Sequence, residues 1–408
     1  ISNWFRKYPL KTKGGKIMPE LANDLGFSQK VQNVKASGIR IFDNKVSTIP
    51  GIIKLTLGEP DMNTPEHVKE AAIKSIQNND SHYAPQKGKL ELRQAISNYL
   101  DKTIGVKYDP ETEIVVTVGA TEAINAALFA ITNPGDKIAI PTPVFSLYWP
   151  VATLADASYV LMNTTADNFK LTPQKLTETI KENPTIKAVI LNYPTNPTGV
   201  EYTEDEIKAL AKVIEENHLY VITDEIYSTL TYGVEHHSIA SLIPERAIYI
   251  SGLSKSHAMT GYRLGYITGP AKIMDQIGKV HGLMVTTTTD SSQAAATEAL
   301  ENGLNDPVEY RKVYQKRRDF VLEKLNKMGM QAVKPEGAFY IFTKIPSQYG
   351  KDDMQFALDL AFKAKVGVTP GSAFGPGGEG YVRLSYASSD ENLQEAMKRM
   401  NDFLQEVE

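Results

Sequence analysis

The sequence predicts an α/β protein in which helices cover both faces of a mostly parallel sheet, joined to a smaller α+β domain. From about residue 110 onward, short runs of β-branched and apolar residues alternate with segments of helical periodicity. The central residues of these runs are apolar without alternation, as expected of strands that are buried on both faces. In roughly the last hundred residues the strand-like runs alternate between apolar and polar residues, which is typical of half-exposed strands.

Five buried strands are predicted in the first region. They span Glu113–Val118, Lys137–Ile140, Lys187–Asn192, Leu219–Thr223 and Ala247–Ser251. Between the first two, Ala120–Thr132 has the apolar spacing of a helix that ends at the stop signal Pro134-Gly135. Thr203 and Glu206 form a capping box, which predicts that a helix begins there and runs to Glu216.

The smaller domain is predicted from two helices and two strands near the C-terminus. The helices span Tyr310–Met328 and Glu391–Glu406, and the strands span Gly337–Thr343 and Tyr381–Tyr386. The predicted domain limits follow this change of pattern. They are 18–60 for an N-terminal segment of the small domain, 61–303 for the large domain and 304–408 for the small C-terminal domain.

Residues 1–17 are expected to be a non-native leader. They are basic, lack the apolar stretch of a secretory signal and precede the first methionine, Met18. The run Lys13-Gly14-Gly15-Lys16 is what a ribosome-binding site gives when it is translated. We therefore expect the native protein to begin at Met18.

Composition excludes several classes of protein. The chain has no cysteine, which excludes disulfides, thiolate nucleophiles and Cys-ligated zinc and suits the cytoplasm, where we place the protein. Its net charge of −4 argues against a nucleic-acid binder that relies on bulk positive charge. No apolar stretch approaches the length of a membrane-spanning helix.

The residues just after the predicted strands carry the chemistry. Ligands of parallel sheets bind beyond the carboxyl ends of the strands, and Asn196, Asp224 and Lys255 follow three successive strands. An amide, a carboxylate and an amine are thereby expected in one crevice, with Arg263 shortly after the amine. Pyridoxal 5′-phosphate (PLP) requires such a set: a Schiff-base amine, partners for its ring nitrogen and ring oxygen, and a cation for its phosphate.

The segment Ser251–Tyr266 resembles the lysine signature of class I aminotransferases, which are PLP-dependent transferases of fold type I. Further matches to this family extend from about Gly38 to Phe403. They are Leu57–Asp61, Tyr83, Gly119–Glu122, Asn192–Gly199, Asp224–Tyr227 and Tyr381–Ser385. The resemblance implies the fold type I architecture and a transaminase activity.

The resemblance also implies catalytic roles. Lys255 is expected to bind PLP covalently and then to move a proton at the substrate's Cα. Asp224 is expected to pair with the pyridine nitrogen and keep it protonated, which makes the ring an electron sink. Asn196 and Tyr227 are expected to hydrogen-bond the ring's phenolic oxygen.

The remaining cofactor contacts concern the phosphate and the ring face. Gly119-Ala120-Thr121 lies where a strand turns into a helix, so its free N–H groups favour a phosphate. Arg263 and Ser254 are expected to add contacts to the same group. Phe145 matches the aromatic residue that stacks on the pyridine ring. Tyr83 resembles the tyrosine that reaches the phosphate of the neighbouring subunit, which implies a homodimer.

Substrate binding is assigned in the same way. Arg383 resembles the arginine that grips the substrate's α-carboxylate through two parallel hydrogen bonds. Gly58 is expected to approach that carboxylate with its backbone, and Asn196 to contact the substrate as well. The expected partners are therefore small amino acids and 2-oxo acids, without nucleic acid or membrane.

Two further motifs are interpreted as non-functional. Gly375–Gly380 fits the G-x-G-x-x-G pattern but precedes a predicted strand, so a dinucleotide site is not expected there. His236 and His237 are adjacent, which does not place both on one helix face as a zinc site requires. We expect them in a solvated loop, and we expect no metal site.

The pattern most resembles bacterial aromatic amino acid aminotransferases, which implies an aromatic donor and 2-oxoglutarate as acceptor in a ping-pong reaction. Close relatives act on N-acetyl-diaminopimelate in lysine biosynthesis, so this substrate is the alternative. A PLP-dependent C–S lyase on the same fold would use the same cofactor residues. A transcriptional regulator with an aminotransferase-like sensor is a further hypothesis, which the short segment before Gly38 and the net charge of −4 disfavour.

Overall fold

A computed structural model describes residues 12–13, 16–17, 26–35 and 37–407. The chain forms two compact units, Ile1–Lys35 and Ala36–Glu408. In the first unit, strands β1 (Thr12–Lys13) and β2 (Lys16–Ile17) pair antiparallel, and helix α1 spans Gln29–Asn33. The predicted start at Met18 lies outside the described residues.

A seven-stranded sheet forms the centre of the second unit, in the order β4-β10-β9-β8-β7-β5-β6. The strands are β4 (Ile114–Thr117), β5 (Lys137–Thr142), β6 (Ser158–Asn163), β7 (Ile186–Asn192), β8 (Tyr220–Asp224), β9 (Ala247–Gly252) and β10 (Gly265–Thr268). Strands β5 to β9 pair in parallel, whereas β10 runs antiparallel to β9 and β4. The predicted mostly parallel sheet is confirmed.

Two of these strands were not predicted, each for a physical reason. Strand β6 lies at the sheet edge, and its exposed Ser158 and Tyr159 dilute the apolar run that marks buried strands. Strand β10 has only four residues and follows a turn-rich segment, which is too short for a periodic signal.

Helices cover this sheet on both faces. They are α3 (Glu66–Gln77), α4 (Leu90–Ile104), α5 (Gly119–Ile131), α6 (Tyr148–Leu154), α7 (Pro173–Glu182), α8 (Glu204–Glu216), α9 (Ala271–Val285) and α10 (Asp290–Asn302). Alternate strand residues enter two separate cores: Val189 of β7 packs in one, and Ile190 in the other. Burial on both faces explains the uninterrupted apolar runs.

The capping box of α8 is confirmed. Thr203 Oγ1 accepts a hydrogen bond from the Glu206 N–H, and the Glu206 carboxylate accepts one from the Thr203 N–H. Among the described residues, no helix is both long enough and apolar enough to cross a membrane.

Smaller sheets and their helices complete the second unit. Strands β11 (Tyr340–Lys344), β14 (Tyr381–Ser385) and β13 (Thr369–Pro370) form an antiparallel sheet, and β12 (Val366–Gly367) pairs in parallel with β3 (Ile53–Lys54). The helices are α2 (Gly38–Val46), α11 (Asp306–Lys327), α12 (Asp353–Asp359) and α13 (Asp390–Val407).

One core cluster joins these parts. It contains Phe42 and Leu55 from the beginning of the unit together with Tyr314, Phe356 and Phe403 from its end. Residues far apart in the chain therefore share one apolar interior. The domain limits at residues 60 and 303 stay a prediction.

The sheet register places the site. Asn192 of β7 lies opposite Asp224 of β8, and Asp224 lies opposite Ile250 of β9. Because the carboxyl ends of parallel strands share one edge of the sheet, the segments that leave these three strands begin side by side.

Candidate active site

Lys255 lies in the segment that follows β9 and reaches toward the beginning of the second unit. Its Nζ donates a hydrogen bond to the Gly58 carbonyl at 2.5 Å, and the Tyr227 and Phe339 rings lie 6.0 and 5.8 Å from it. Burial lowers the pKa of Lys255 to about 8, and the charges of Arg263 and Arg383 act in the same direction. An amine with this pKa is partly neutral near pH 7 and can act as a nucleophile.

Asp224 is the last residue of β8 and is buried. The Tyr148 hydroxyl donates to its Oδ2 at 2.9 Å, and the Ile226 N–H donates to its Oδ1 at 3.3 Å. Burial raises the pKa of Asp224 to about 6, and the neighbouring Glu225 charge adds to this shift. This carboxyl group has no ion-pair partner in the part of the chain that the structure describes, so a protonated ring nitrogen would supply one.

Arg383 on β14 is a buried cation. Its Nη1 donates to Asn196 Oδ1 at 2.8 Å and its Nη2 to the Thr56 carbonyl at 2.5 Å, whereas Nε has no partner. The Tyr340 and Phe374 rings lie 4.3 and 4.9 Å from the guanidinium carbon. No described carboxylate forms an ion pair with Arg383, and burial lowers its pKa. An uncompensated buried cation favours an anionic ligand.

Tyr340 of β11 touches three of the predicted site residues. Its hydroxyl lies 2.8 Å from the Tyr227 hydroxyl, and its ring covers Arg383. A Cβ at Gly58 would collide with the same hydroxyl, which explains a glycine at that position. Burial raises the pKa of Tyr227 far above its usual range, so this phenol stays protonated.

Sequence reasoning missed Tyr340 as a site residue. It lies in a predicted strand, and the strand pattern does not show which residues its side chain contacts. Tyr148 was missed in the same way, because nothing in α6 indicates that its hydroxyl reaches Asp224.

Gly119 begins α5 and lies against the Arg263 guanidinium. Its φ of +75° suits glycine, and a Cβ there would lie 2.6 Å from Arg263 Nη2. Arg263, itself at a φ of +51°, donates from Nη1 to the Thr260 carbonyl at 2.9 Å. Ser254 is buried in the segment after β9. A helix N-terminus beside a guanidinium is suited to bind a phosphate.

The remaining predicted cofactor residues are Phe145, Ala120 and Thr121. Phe145 is half-buried and packs edge-on against Tyr148, with ring centroids 6.1 Å apart. Ala120 is half-buried and Thr121 is exposed in the first turn of α5.

Tyr83 is not brought to the other site residues within this chain. Its side chain is 87% exposed and borders a surface cleft of about 720 Å³ with Gln86, Gly282 and Leu283. Its predicted role therefore depends on a second subunit.

The predicted solvated loop at His236-His237 is wrong for His236. This side chain is only 9% exposed, because its ring is enclosed by Glu201 and Glu225, with N···O distances of 3.0 and 2.7 Å. Both glutamates are distant in sequence, so local pattern does not reveal the enclosure. The described residues contain no group of three or more side chains arranged to hold a metal ion. Gly375–Gly380 leads into β14 and opens no helix.

These residues fit PLP. A partly neutral amine, a buried carboxyl group without an ion-pair partner, and an open helix N-terminus beside Arg263 match the aldehyde, the ring nitrogen and the phosphate of that cofactor. Arg383 adds a site for a carboxylate next to them.

Comparison with known proteins agrees with this geometry. The family model "Aminotransferase class I and II" matches residues 50–400. A probable N-acetyl-LL-diaminopimelate aminotransferase from Bacillus subtilis is 44% identical over 375 residues, covering 92% of this chain and 95% of the relative. Aromatic-amino-acid aminotransferase 2 from Thermococcus litoralis is 39% identical, with coverage of 94% and 99%.

A solved structure gives the same result in three dimensions. Aspartate aminotransferase from Thermus thermophilus with maleate aligns with a TM-score of 0.88 at 35% identity, covering 93% of this chain and 100% of that one. The fold, the family model and the relatives thus agree over most of the sequence. The chain belongs to the class I and II aminotransferases, enzymes of PLP fold type I that act with pyridoxal 5′-phosphate.

Proposed function

We propose that this enzyme transfers the amino group of an aromatic L-amino acid to 2-oxoglutarate in a ping-pong reaction. The observation that carries the proposal is Arg383, a buried guanidinium whose Nε lacks a hydrogen-bond partner and which pairs with no carboxylate among the described residues. The α-carboxylate of either substrate is the anion that would complete it. Arg383 would then orient the amino acid with its Cα near Lys255.

The residues around Lys255 divide the remaining work. PLP, when bound, supplies an electron sink that stabilises negative charge at the substrate's Cα. Lys255 holds the cofactor and afterwards moves a proton at Cα, which its lowered pKa favours. Asp224 keeps the ring nitrogen protonated, and Asn196 and Tyr227 hydrogen-bond the ring oxygen.

The phosphate is held apart from the reacting atoms. The N–H groups of Gly119, Ala120 and Thr121 and the side chains of Arg263 and Ser254 bind it. Phe145 would contribute an aromatic contact to the ring. The residues proposed to hold the phosphate are thus different from Lys255 and Arg383.

The described arginines other than Arg383 leave a second carboxylate on either substrate without a buried partner. Besides Arg383, the buried arginines of the described residues are Arg93 and Arg318, and they donate to the carbonyls of Pro110 and Pro335. Neither is free to bind a second carboxylate, so aspartate and 2-oxoglutarate would both place that group away from the buried arginines. The resemblance of this chain to the aromatic-amino-acid aminotransferase of Thermococcus litoralis supports an aromatic donor.

N-acetyl-LL-diaminopimelate is the second candidate donor. The relative from Bacillus subtilis carries that name and is 44% identical to this chain. Such a substrate has a remote carboxylate, for which a second cation is needed at the site.

A substrate panel tests the choice of donor. With 2-oxoglutarate as acceptor, we expect phenylalanine and tyrosine to give kcat/KM values at least about tenfold above that of aspartate, since an aromatic side chain gains apolar contact on binding that a second carboxylate does not. Single half-reactions, followed as loss of the visible cofactor band, measure this without the acceptor. Inert phenylalanine and tyrosine with active N-acetyl-LL-diaminopimelate would reject the aromatic proposal.

Replacing Arg383 tests the carboxylate site. We expect Arg383→Leu to lower kcat/KM by about a hundredfold, because a charge-assisted pair of bonds worth about 3 kcal/mol is lost. Arg383→Lys keeps the charge without the planar fork and should fall between the two. The control is Arg399→Leu, which removes an arginine paired with Glu395 on the surface of α13. Equal kcat/KM in both leucine variants would contradict the assignment.

The pH dependence of cofactor attachment tests Lys255. Only the neutral amine reacts with an aldehyde, and the pKa of Lys255 in the free site is about 8. The rate at which the visible band forms after PLP is mixed with the apoenzyme should therefore rise with pH and level off above about pH 8. N-acetyl-lysine serves as the control amine, with an ordinary pKa near about 10.4. A protein rate that still rises at that pH would contradict the lowered pKa.

We also propose a homodimer in which Tyr83 reaches the phosphate site of the partner subunit. Tyr83 borders the same surface cleft as the apolar side chain of Leu283, which is 90% exposed, and such surface favours association. We expect a dimer in sedimentation experiments and about a tenfold weaker PLP affinity for Tyr83→Phe, which loses one hydrogen bond. A monomeric wild-type protein whose PLP affinity equals that of the Tyr83→Phe variant would contradict the proposal.

A further inference from the structure

A buried ionic cluster lies directly behind the candidate site. We name it the His236 clamp, defined by Glu201, His236 and Glu225. The His236 Nδ1 lies 3.0 Å from Glu201 Oε2, and its Nε2 lies 2.7 Å from Glu225 Oε2. The three side chains are 2%, 9% and 0% exposed, so water contributes little to their solvation.

The charges of the clamp depend on one another. Burial opposes protonation of His236, but the charges of Glu225 and Glu201 outweigh it and raise its pKa to about 10. At neutral pH a single cation therefore separates two buried carboxylates. Removing that cation would leave the Glu201 and Glu225 side chains in the interior without the partner they share, a penalty that a movement of the surrounding backbone would relieve.

Glu225 is the most connected member of the clamp. Its Oε1 accepts hydrogen bonds from Thr223 at 2.7 Å, Ser238 at 2.8 Å and Tyr193 at 3.2 Å. With His236 on Oε2, this carboxylate joins the end of β8 to the segment that leaves β7 and to the segment that carries His236.

The position of Glu225 in the chain gives the clamp its significance. Glu225 follows Asp224. The Asp224 carboxylate accepts a hydrogen bond from Tyr148, which is not a member of the clamp. On a strand, successive side chains point to opposite faces, so one residue faces the cofactor site and the next faces the clamp. Two residues further along stands Tyr227.

The other arm of the clamp belongs to the segment that carries Asn196. Glu201 ends the turn-rich stretch after β7, and Tyr193 begins it. The Asn196 N–H donates to Asn192 Oδ1 at 3.0 Å, and the Asn192 amide donates to the Asp224 carbonyl at 2.9 Å. These bonds tie the two segments on the cofactor side, and the clamp ties them on the opposite side.

We propose that His236 is a positioning residue, which holds the segments bearing Asn196 and Asp224 at the separation that PLP requires. It touches neither substrate nor cofactor and acts through Glu201 and Glu225. The proposal rests on the roles proposed above for Asn196 and Asp224. None of the three clamp residues is among those predicted to contact the cofactor.

The test is the affinity of the full-length apoenzyme for PLP. In His236→Gln the cation is lost while a side chain of similar reach remains. We expect its PLP dissociation constant, from titration of the visible band, to rise by at least about tenfold, because part of the binding free energy now goes into re-forming the site. Saturating PLP should also raise the thermal midpoint of this variant by less than it raises that of the wild type.

The matched control is His67→Gln. His67 on α3 also places each ring nitrogen against a carboxylate, at 2.8 Å from Glu298 and 3.0 Å from Asp306, but its side chain is 35% exposed and no contact joins it to the predicted site residues. We expect its PLP dissociation constant to stay within about twofold of the wild-type value, because a solvated pair contributes little.

A second variant protects the test against misfolding. Glu201→Gln keeps an acceptor for the His236 ring and leaves one carboxylate opposite the cation, so folding is retained more easily. We expect about threefold weaker PLP binding from the displaced Asn196 segment.

The outcomes separate positioning from simple stabilisation. The proposal is overturned if His236→Gln lowers the thermal midpoint of the apoenzyme but leaves the PLP dissociation constant within about twofold of the wild-type value. If His236→Gln does not fold, the same two results for Glu201→Gln overturn the proposal. If the wild-type protein itself forms no Lys255-dependent band with PLP, the proposed function fails instead.

Discussion

The site depends above all on the parallel pairing of β7, β8 and β9. Parallel strands bring their carboxyl ends to one edge of the sheet, and the register sets Asn192 beside Asp224 and Asp224 beside Ile250. The segments that follow therefore begin as neighbours, although long stretches of chain separate them. Because the strands are buried on both faces, their polar residues are confined to these ends, where a ligand can reach them.

Three ionisable groups at this edge are held away from their usual protonation equilibria. Burial lowers the pKa of Lys255 and of Arg383 and raises that of Asp224, so each is shifted toward its neutral form. A protonated ring nitrogen of the cofactor would give Asp224 a charge partner, and a substrate carboxylate would give Arg383 one. Burying these groups costs folding free energy, which is the usual cost of a site that binds charged ligands strongly.

The end of β8 divides its side chains between chemistry and support. Asp224 faces Tyr148 on the ligand side, whereas Glu225 enters the buried cluster with His236 on the other. Alternation along the strand makes this division possible without any extra residue. The same two-residue stretch therefore links the predicted cofactor contacts to a network that local sequence pattern assigned to solvent.

The sequence by itself determined five of the seven strands of the large sheet and its mostly parallel sense, and it placed Asn196, Asp224 and Lys255 after successive strands, because apolar periodicity and strand-end spacing are local properties. The tertiary structure alone decided that Tyr340 lies over Arg383, that Tyr148 reaches Asp224 and that His236 is enclosed by two glutamates. These contacts join residues from separate elements, whose approach depends on packing in three dimensions. No spacing along a single segment encodes such an approach, so periodicity identifies the strands but not the side chains that meet across them.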